Sequence, residues 1–537
     1  MVVLKYSRTF GDYYIVEDAV SQQILPRRLL RNTGSTESLD VLRNWLRRCR
    51  NEHHECRYTL SGRLVDDLVG TPLPTRTIHI RNDDTGYRAR LFETENQIGS
   101  YAALSHCWGP PDKQPIKTTR QNILNHMSDI PVDSLPNTFR DAMIAAHSLG
   151  IDYIWIDSLC IIQDDDADWA LEASRMADVY QNACITFSAA DAGDSTHGMF
   201  YDLESETIQL PFIPVDTDTP TARFEIARIE RAKQTLGVSR LGSRAWVTQE
   251  WSLSRRLVHF RRDGIIWACR RMGLTGIDQN NDSCQLDYRP LEDWKWDWED
   301  IVFWYSRRGL TYAKDRAAAL EGIAKELSCL DPTDKIVHGV WQNGLPHQLL
   351  WFCWQGPHVN IKELSSIAPT WSWIAIEKGV EFIGRNQDRQ SLCRTICVQD
   401  RTITVSCVAK RLSTLQCVLA DDQSGMEDLL NFILSNLLLG VELGAPHEIQ
   451  RSLYVLLGEN LAVKGILLFD NDNIPNTNVL CLKVNRIQGE GDNPPAFGVL
   501  LIEEDTAASK KSRRLGVGVI LDLQWFDGGL QYESSIV

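Results

Sequence analysis

Apolar residues in this chain fall into short runs whose period changes from one run to the next. Tyr101–Gly109, YAALSHCWG, is apolar almost throughout until Gly109 and the Pro110–Pro111 pair stop it, which predicts a strand. In Ser134–Leu149, Phe139, Met143, Ala146 and Leu149 recur at helical spacing, with Pro136 suited to the first turn and Gly150 to the end. Tyr153–Ile156 is β-branched or aromatic and too short for a helix, so it predicts a buried strand closed by the carboxylate Asp157. Asp164–Asp166 then opens a helix with Trp169, Ala173, Met176 and Tyr180 as its apolar stripe, and Cys184–Ala190 is a further strand. Strand, helix, strand, helix, strand predicts a right-handed parallel α/β unit covered on both faces. Such sheets bind ligands at the carboxyl ends of their strands, where Asp157 would sit.

Upstream, Leu39–Cys49 places Leu42, Trp45 and Leu46 on one face and arginines on the other, a docking helix within a first segment of helix and loops. Downstream, residues 201–240 form a polar insertion. A hairpin follows, with Leu257–Phe260 and Ile265–Cys269 flanking Asp263–Gly264. Residues 290–355 are helical and aromatic. Beyond about residue 367 come short apolar strands (Ile403–Val408, Gly465–Phe469, Val479–Val484, Gly498–Ile502, Gly516–Leu521), with a helical stretch near Met426–Leu439. The expected organisation is therefore a docking segment at 1–85, an α/β domain at 86–270, a helical Trp-rich segment at 271–400 and a β-rich region at 401–537.

The chain's 537 residues exceed one simple core, and a hydrophobic content of 43% with 24% charged residues suits a globular protein. A formal net charge of −15 argues against a nucleic-acid-binding surface. No apolar run approaches the ~20 residues needed to span a bilayer, and the first residues lack the layout of a secretory signal, so a cytoplasmic location is expected. The 14 cysteines mostly adjoin apolar residues and read as small buried hydrophobes. Cys49 and Cys56, with His53 and His54 between them, come nearest to a metal pattern. Their spacing is loose and no second CxxC pair follows, so no metal is expected. The tryptophans cluster at Trp294, Trp296, Trp298 and Trp304 and again at Trp351, Trp354, Trp371 and Trp373, which predicts packing rather than sugar stacking. No Gly-rich phosphate loop is present, against a kinase or nucleotide hydrolase. His106 and Cys107, adjacent on one strand, would point to opposite faces. A Cys/His enzyme would need a distant couple, His147 with Cys107 or His106 with Cys160, and burial is the default for these residues.

Taken together, YAALSHCWG at 101–109, LPNTFRDA at 135–142, LGIDYIWIDSLCIIQDDDADW at 149–169, MADVYQNACITFSA at 176–189 and RAWVTQEWSLSRRLVHF at 244–260 resemble a fungal heterokaryon-incompatibility (HET) domain. The pattern continues with Trp45, Cys49 and Cys56 upstream, and with YSRRGLTYAKDRAAALEGIA at 305–324 and APTWSWIA at 368–375 downstream. The family commonly has tyrosine where this chain has His106, and W-T-L-Q-E where it has Val247 and Thr248. The resemblance implies a TIR-like, flavodoxin-like parallel-sheet core and a role in self/non-self recognition that ends in programmed cell death. Its partners would be other incompatibility proteins or further copies of this chain. TIR domains that cleave NAD carry a W-x-x-x-E element with a catalytic glutamate, and Trp246 and Glu250 fit that spacing. By this analogy Glu250 is the leading catalytic candidate and Asp157 the second, with Ser105, Trp108 and Trp246 lining the ligand. NAD would be a substrate rather than a cofactor, and the analogy leaves catalysis open. Two other functions fit the same residues: an accessory enzyme or regulator in a fungal secondary-metabolite pathway, and a non-catalytic interaction module.

Overall fold

The computed structural model describes residues 32–65, 69–84, 86–203, 239–271, 298–353, 366–377, 379–385, 387–412, 417–419, 453–458, 462–470, 479–488, 495–503 and 511–537, together with strand backbone at 13–16, 207–212, 222–228 and 274–275. The helix expected near Met426–Leu439 and the tryptophans Trp294, Trp296 and Trp354 lie outside the described residues. Two compact units divide the chain, Met1–Leu291 and Glu292–Val537.

The first unit is built on an eight-stranded mixed sheet. Its strands are β1 (Arg76–Asp83), β2 (Gly86–Glu93), β3 (Tyr101–Ser105), β4 (Tyr153–Trp155), β5 (Ile185–Ala189), β6 (Arg256–Arg261), β7 (Gly264–Cys269) and β8 (Leu274–Thr275), in the spatial order β8-β7-β6-β5-β3-β4-β1-β2. The four central strands β4, β3, β5 and β6 run parallel, and hairpins extend the sheet on both sides. Its helices are α1 (Thr36–Glu52), α2 (Asn137–Ser148), α3 (Asp166–Asn182) and α4 (Val247–Leu253). The crossover from β3 to β4 runs one way along the sheet and that from β4 to β5 runs the other. Right-handed crossovers therefore put α2 and α3 on opposite faces. In keeping with that, α1 packs with α2, and α3 with α4. Both faces are thus covered, and every residue of β3, β5, β6 and β7 is buried.

Local chemistry sets the helix ends. Asp165 caps α3 by accepting from the backbone N–H groups of Ala167 and Asp168, while Gly150, at φ 73°, follows the end of α2. The α3 stripe differs from expectation: Trp169 is exposed, and the inward residues include Glu172, Met176, Val179 and Tyr180. The first turn instead turns Asp168 inward, toward the buried Arg76 of β1, because a buried guanidinium needs a carboxylate more than the core needs another indole. The hairpin β1–β2 straddles residue 85, where the sequence reading ended its N-terminal segment. Its charged alternation, RTIHIRND, hides a strand that pairs with β4. In the hairpin β6–β7, Gly264 belongs to the second strand and pairs with Arg261, so Arg262 and Asp263 make the turn. Within the insertion, Thr207–Phe212 and Ala222–Arg228 pair antiparallel.

The second unit holds α5 (Trp298–Ser306) and α6 (Asp315–Leu330) and a ten-stranded sheet. Thr402–Arg411, Val479–Ile487, Ala496–Glu503 and Lys511–Ile520 overlap strands read from sequence, Leu530–Ile536 is a strand that reading missed, and the pairings of the five run round in a ring. Closure of this kind removes free strand edges. Trp298, Trp341, Trp351, Trp371 and Trp373 are fully buried, whereas Trp304 is exposed.

Candidate functional site

The parallel strands deliver the candidate residues to one end of the sheet. Ser105 is the last residue of β3 and lies opposite Ser188 near the end of β5. Chain order and spatial order diverge between these two strands, and at such a switch point the loops part and leave a crevice. Glu250 arrives from the other side on α4. Its helix begins after Trp246, with the Glu250 N–H donating to the Trp246 carbonyl at 3.2 Å. Ser254 anchors the far end of α4, donating from its hydroxyl to the Glu250 carbonyl at 2.6 Å and lying 2.7 Å from the Thr186 hydroxyl. So held, the Glu250 side chain is buried and accepts a hydrogen bond from the Ser105 hydroxyl.

Asp157 occupies the first position of a short helix, Asp157–Cys160, two residues past the end of β4. One carboxylate oxygen accepts from the Trp108 indole N–H at 2.9 Å, and the other from the Ser158 backbone N–H at 2.7 Å. The Lys117 ammonium lies 4.8 Å from the Trp108 ring centre, a cation–π contact. The structure therefore joins Ser105 to Glu250 and Trp108 to Asp157. Trp246 caps the helix of Glu250 and is half-buried.

Three further residues complete the arrangement. The His106 ring lies edge-on to Phe139 and 3.8 Å from the Asp157 carboxylate, fully buried, and neither ring nitrogen has a protein hydrogen-bond partner. The Arg244 guanidinium donates to the His106 carbonyl. The Tyr180 hydroxyl lies 3.3 Å from the Leu104 carbonyl, and burial, then the charges of Glu250 and Asp157, push its pKa well above the ordinary phenol value. Both carboxylates thus act on one phenol. The sequence reading took His106 as a departure from the family pattern and as half of a Cys/His couple, and gave Arg244 no role of its own; Tyr180 was placed in an apolar stripe. Its hydroxyl, an odd tip on a core-facing residue, was the available signal.

Burial holds the His106 imidazole down to about 4, with Asp157 opposing that shift and Arg244 adding to it. The sign follows from proton counting. Between about pH 6.5 and pH 4 the unfolded chain binds a proton that the folded chain refuses. Stability from this residue is whole above that window and falls as pH drops through it. Going from pH 7 to pH 5 should cost the first unit about 2 kcal/mol through His106 alone. His106→Tyr is expected to remove that share, read as a smaller drop in urea midpoint between the two pH values.

Gly109 ends the segment after β3 at φ 86°, and a Cβ there would sit 2.4 Å from the Cβ of Asp194. Asp194 accepts from the Thr196 hydroxyl and backbone N–H and from His197 Nδ1, and these bonds outweigh burial to hold its pKa at about 2. Gly109→Ala adds the left-handed strain of about 1–2 kcal/mol to a clash that Asp194 cannot relieve without breaking those bonds. A thermal melt of the variant should show a clearly lowered midpoint. Neither Cys/His couple forms: Cys107 packs with Leu241, Val247 and Trp251, His147 faces Asp152 and Tyr87, and the His106 ring nitrogens bond to neither Cys160 nor any other protein group.

A cleft of 350 Å³ opens at the opposite end of β3, lined by Tyr101, Arg63, Glu172 and Asp178 among others. The carboxylates in it pair with arginines, Asp178 with Arg63 at 3.8 Å and Glu172 with Arg76 at 4.0 Å. The Glu250 end has the convergent polar groups and the buried phenol whose pKa both carboxylates raise, so it is the better candidate for chemistry. Among the described residues, no helix is long and apolar enough to cross a membrane. No curated protein and no solved structure matches the chain. Residues 101–250, which hold Ser105, Trp108, Asp157, Trp246 and Glu250, match the family model "Heterokaryon incompatibility protein (HET)", and this similarity supports a heterokaryon incompatibility domain over that segment.

Proposed function

We propose that this protein acts in fungal self/non-self recognition and programmed cell death, and that its core does so by cleaving NAD. The observation that carries the reading is the Ser105–Glu250 hydrogen bond, which fixes a carboxylate at the carboxyl ends of the central parallel strands. Numbered in chain order, those strands lie 2-1-3-4, as the first four do in flavodoxin-like sheets, and this supports a TIR-like core. In the reaction, the bond between ribose C1′ and the nicotinamide nitrogen breaks and its electron pair leaves with nicotinamide. Water then adds to C1′ and loses a proton. The intervening oxocarbenium-like state is positive, and a carboxylate beside it lowers its energy. Glu250 would supply that charge. Asp157 would face the ribose hydroxyls, with Ser105, Trp108 and Trp246 lining the ligand.

A second reading, a HET core that signals through self-association without chemistry, draws on the burial of Glu250, only 5% exposed. Inducible expression separates the two. Wild-type protein should deplete cellular NAD before viability falls, and Glu250→Ala should do neither. Killing with unchanged NAD, undiminished in Glu250→Ala, removes the NAD chemistry and leaves the interaction module.

A further inference from the structure

The spacing of Cys49, His53 and Cys56 was too loose to predict a metal, but folding brings a fourth ligand to them across more than two hundred residues. Cys269, the last residue of β7, meets the end of α1, so that the ligand atoms of Cys49, His53, Cys56 and Cys269 all lie within 4.8 Å of one another. All four residues are buried. Cys49 is the last inward residue of α1, His53 caps that helix, and Cys56 follows in a single 3-10 turn, His54–Arg57. The backbone holds this clasp, with His53 N–H donating to the Cys49 carbonyl and Cys56 N–H to the His53 carbonyl, each at 3.2 Å. Across the clasp, Cys269 Sγ lies 3.4 Å from His53 Nδ1.

We propose that these four residues bind one zinc ion in a closed Cys3His site that fastens α1 to β7. Tetrahedral zinc with bonds of about 2.0–2.3 Å puts its ligand atoms about 3.5–3.8 Å apart, a small contraction of the set observed. Three soft sulfur ligands and one imidazole select zinc over magnesium or calcium. With all four positions taken by protein and no carboxylate in the set, the site is structural rather than catalytic. Its surroundings are those of a thiolate centre. Arg256, fully buried, donates its Nε–H to Cys49 Sγ at 3.2 Å, the outer-shell bond that tunes and orients a ligating sulfur. Arg255 and Arg256 also donate to the Cys56 carbonyl, at 3.0 and 3.3 Å. Three thiolates, a neutral imidazole and a divalent ion carry one net negative charge, and a guanidinium beside it suits that charge. This site stands on α1 and β7 and does not depend on any chemistry at Glu250.

Full-length protein purified under reducing conditions without chelator should carry about one equivalent of zinc, measured by elemental mass spectrometry. Exchange with cobalt should give the sulfur-to-cobalt absorption of a tetrahedral thiolate site. Cys269→Ser should lose the metal and Cys481→Ser, in the second unit, should keep it. Reduced wild-type protein that holds no zinc and gives no such cobalt absorption overturns the site, as does full zinc occupancy in Cys269→Ser. A disulfide between any two of the three cysteines in freshly isolated protein overturns it as well. Because the cobalt spectrum is read on wild-type protein, a Cys269→Ser chain that fails to fold leaves the test intact.

Discussion

Glu250→Gln is expected to reduce NAD turnover by the purified chain about 100-fold or more while leaving its melting behaviour close to wild type. The amide keeps the volume of the carboxylate, and its oxygen can still accept from the Ser105 hydroxyl, so the packing between β3 and α4 is retained. What disappears is the negative charge. A buried carboxylate facing a developing oxocarbenium ion acts through charge, and a removed electrostatic group of this kind costs about two to three orders of magnitude in rate. Glu250→Ala loses activity too, but it also leaves the Ser105 hydroxyl without this acceptor in a buried site. It should therefore lose about 1–3 kcal/mol of stability as well. Comparing the two variants separates charge from packing. NAD turnover within twofold of wild type in a folded Glu250→Gln protein would leave the carboxylate with a structural role only.

The second large effect belongs to Arg76. Its guanidinium is buried and reaches both carboxylate oxygens of Asp168 at 2.6 Å and the Cys160 carbonyl at 2.8 Å, with Glu172 4.0 Å away. It thereby ties β1 to the start of α3 and to the turn that follows Asp157. Asp168 in turn accepts from the Ile162 N–H at 2.8 Å, so the same network sets the path of the chain leaving the candidate site. Arg76→Ala removes the cation and leaves two inward carboxylates without it. The expected cost is about 3–5 kcal/mol in denaturant unfolding of the first unit. A loss below about 1 kcal/mol, the range of exposed pairs, would mean that water enters the gap and carries the charges. The triple change Arg76→Met, Asp168→Leu and Glu172→Leu should recover most of the loss, because a well-packed apolar set replaces a buried ion cluster at little cost.

How much of this was legible in the chain follows from the range of the forces concerned. The parallel core could be read because its signals are local. Four consecutive apolar residues in β3, Phe139 and Met143 at helical spacing in α2, Asp165 at the head of α3 and Gly150 after α2 each report the conformation of their own neighbourhood. The hairpin β1–β2 was missed because its alternation of charge and apolar residues resembles a solvated loop until β4 supplies a partner. Trp169 misled for a related reason, since periodicity marks which residues share a face and not which of them the core requires.

The candidate site divides the same way. Sequence alone determined that Glu250 follows Trp246 by one helical turn and that Asp157 comes just after an apolar strand, because spacing along the chain is intrinsic to it. Only the tertiary structure decided that Ser105 would meet Glu250 across 145 positions, that Trp108 would hold Asp157 and that both carboxylates would press on Tyr180. It alone brought Cys269 to Cys49, His53 and Cys56. Contacts between distant segments are set by how twisted strands and their crossovers stack, and no window of sequence carries that geometry.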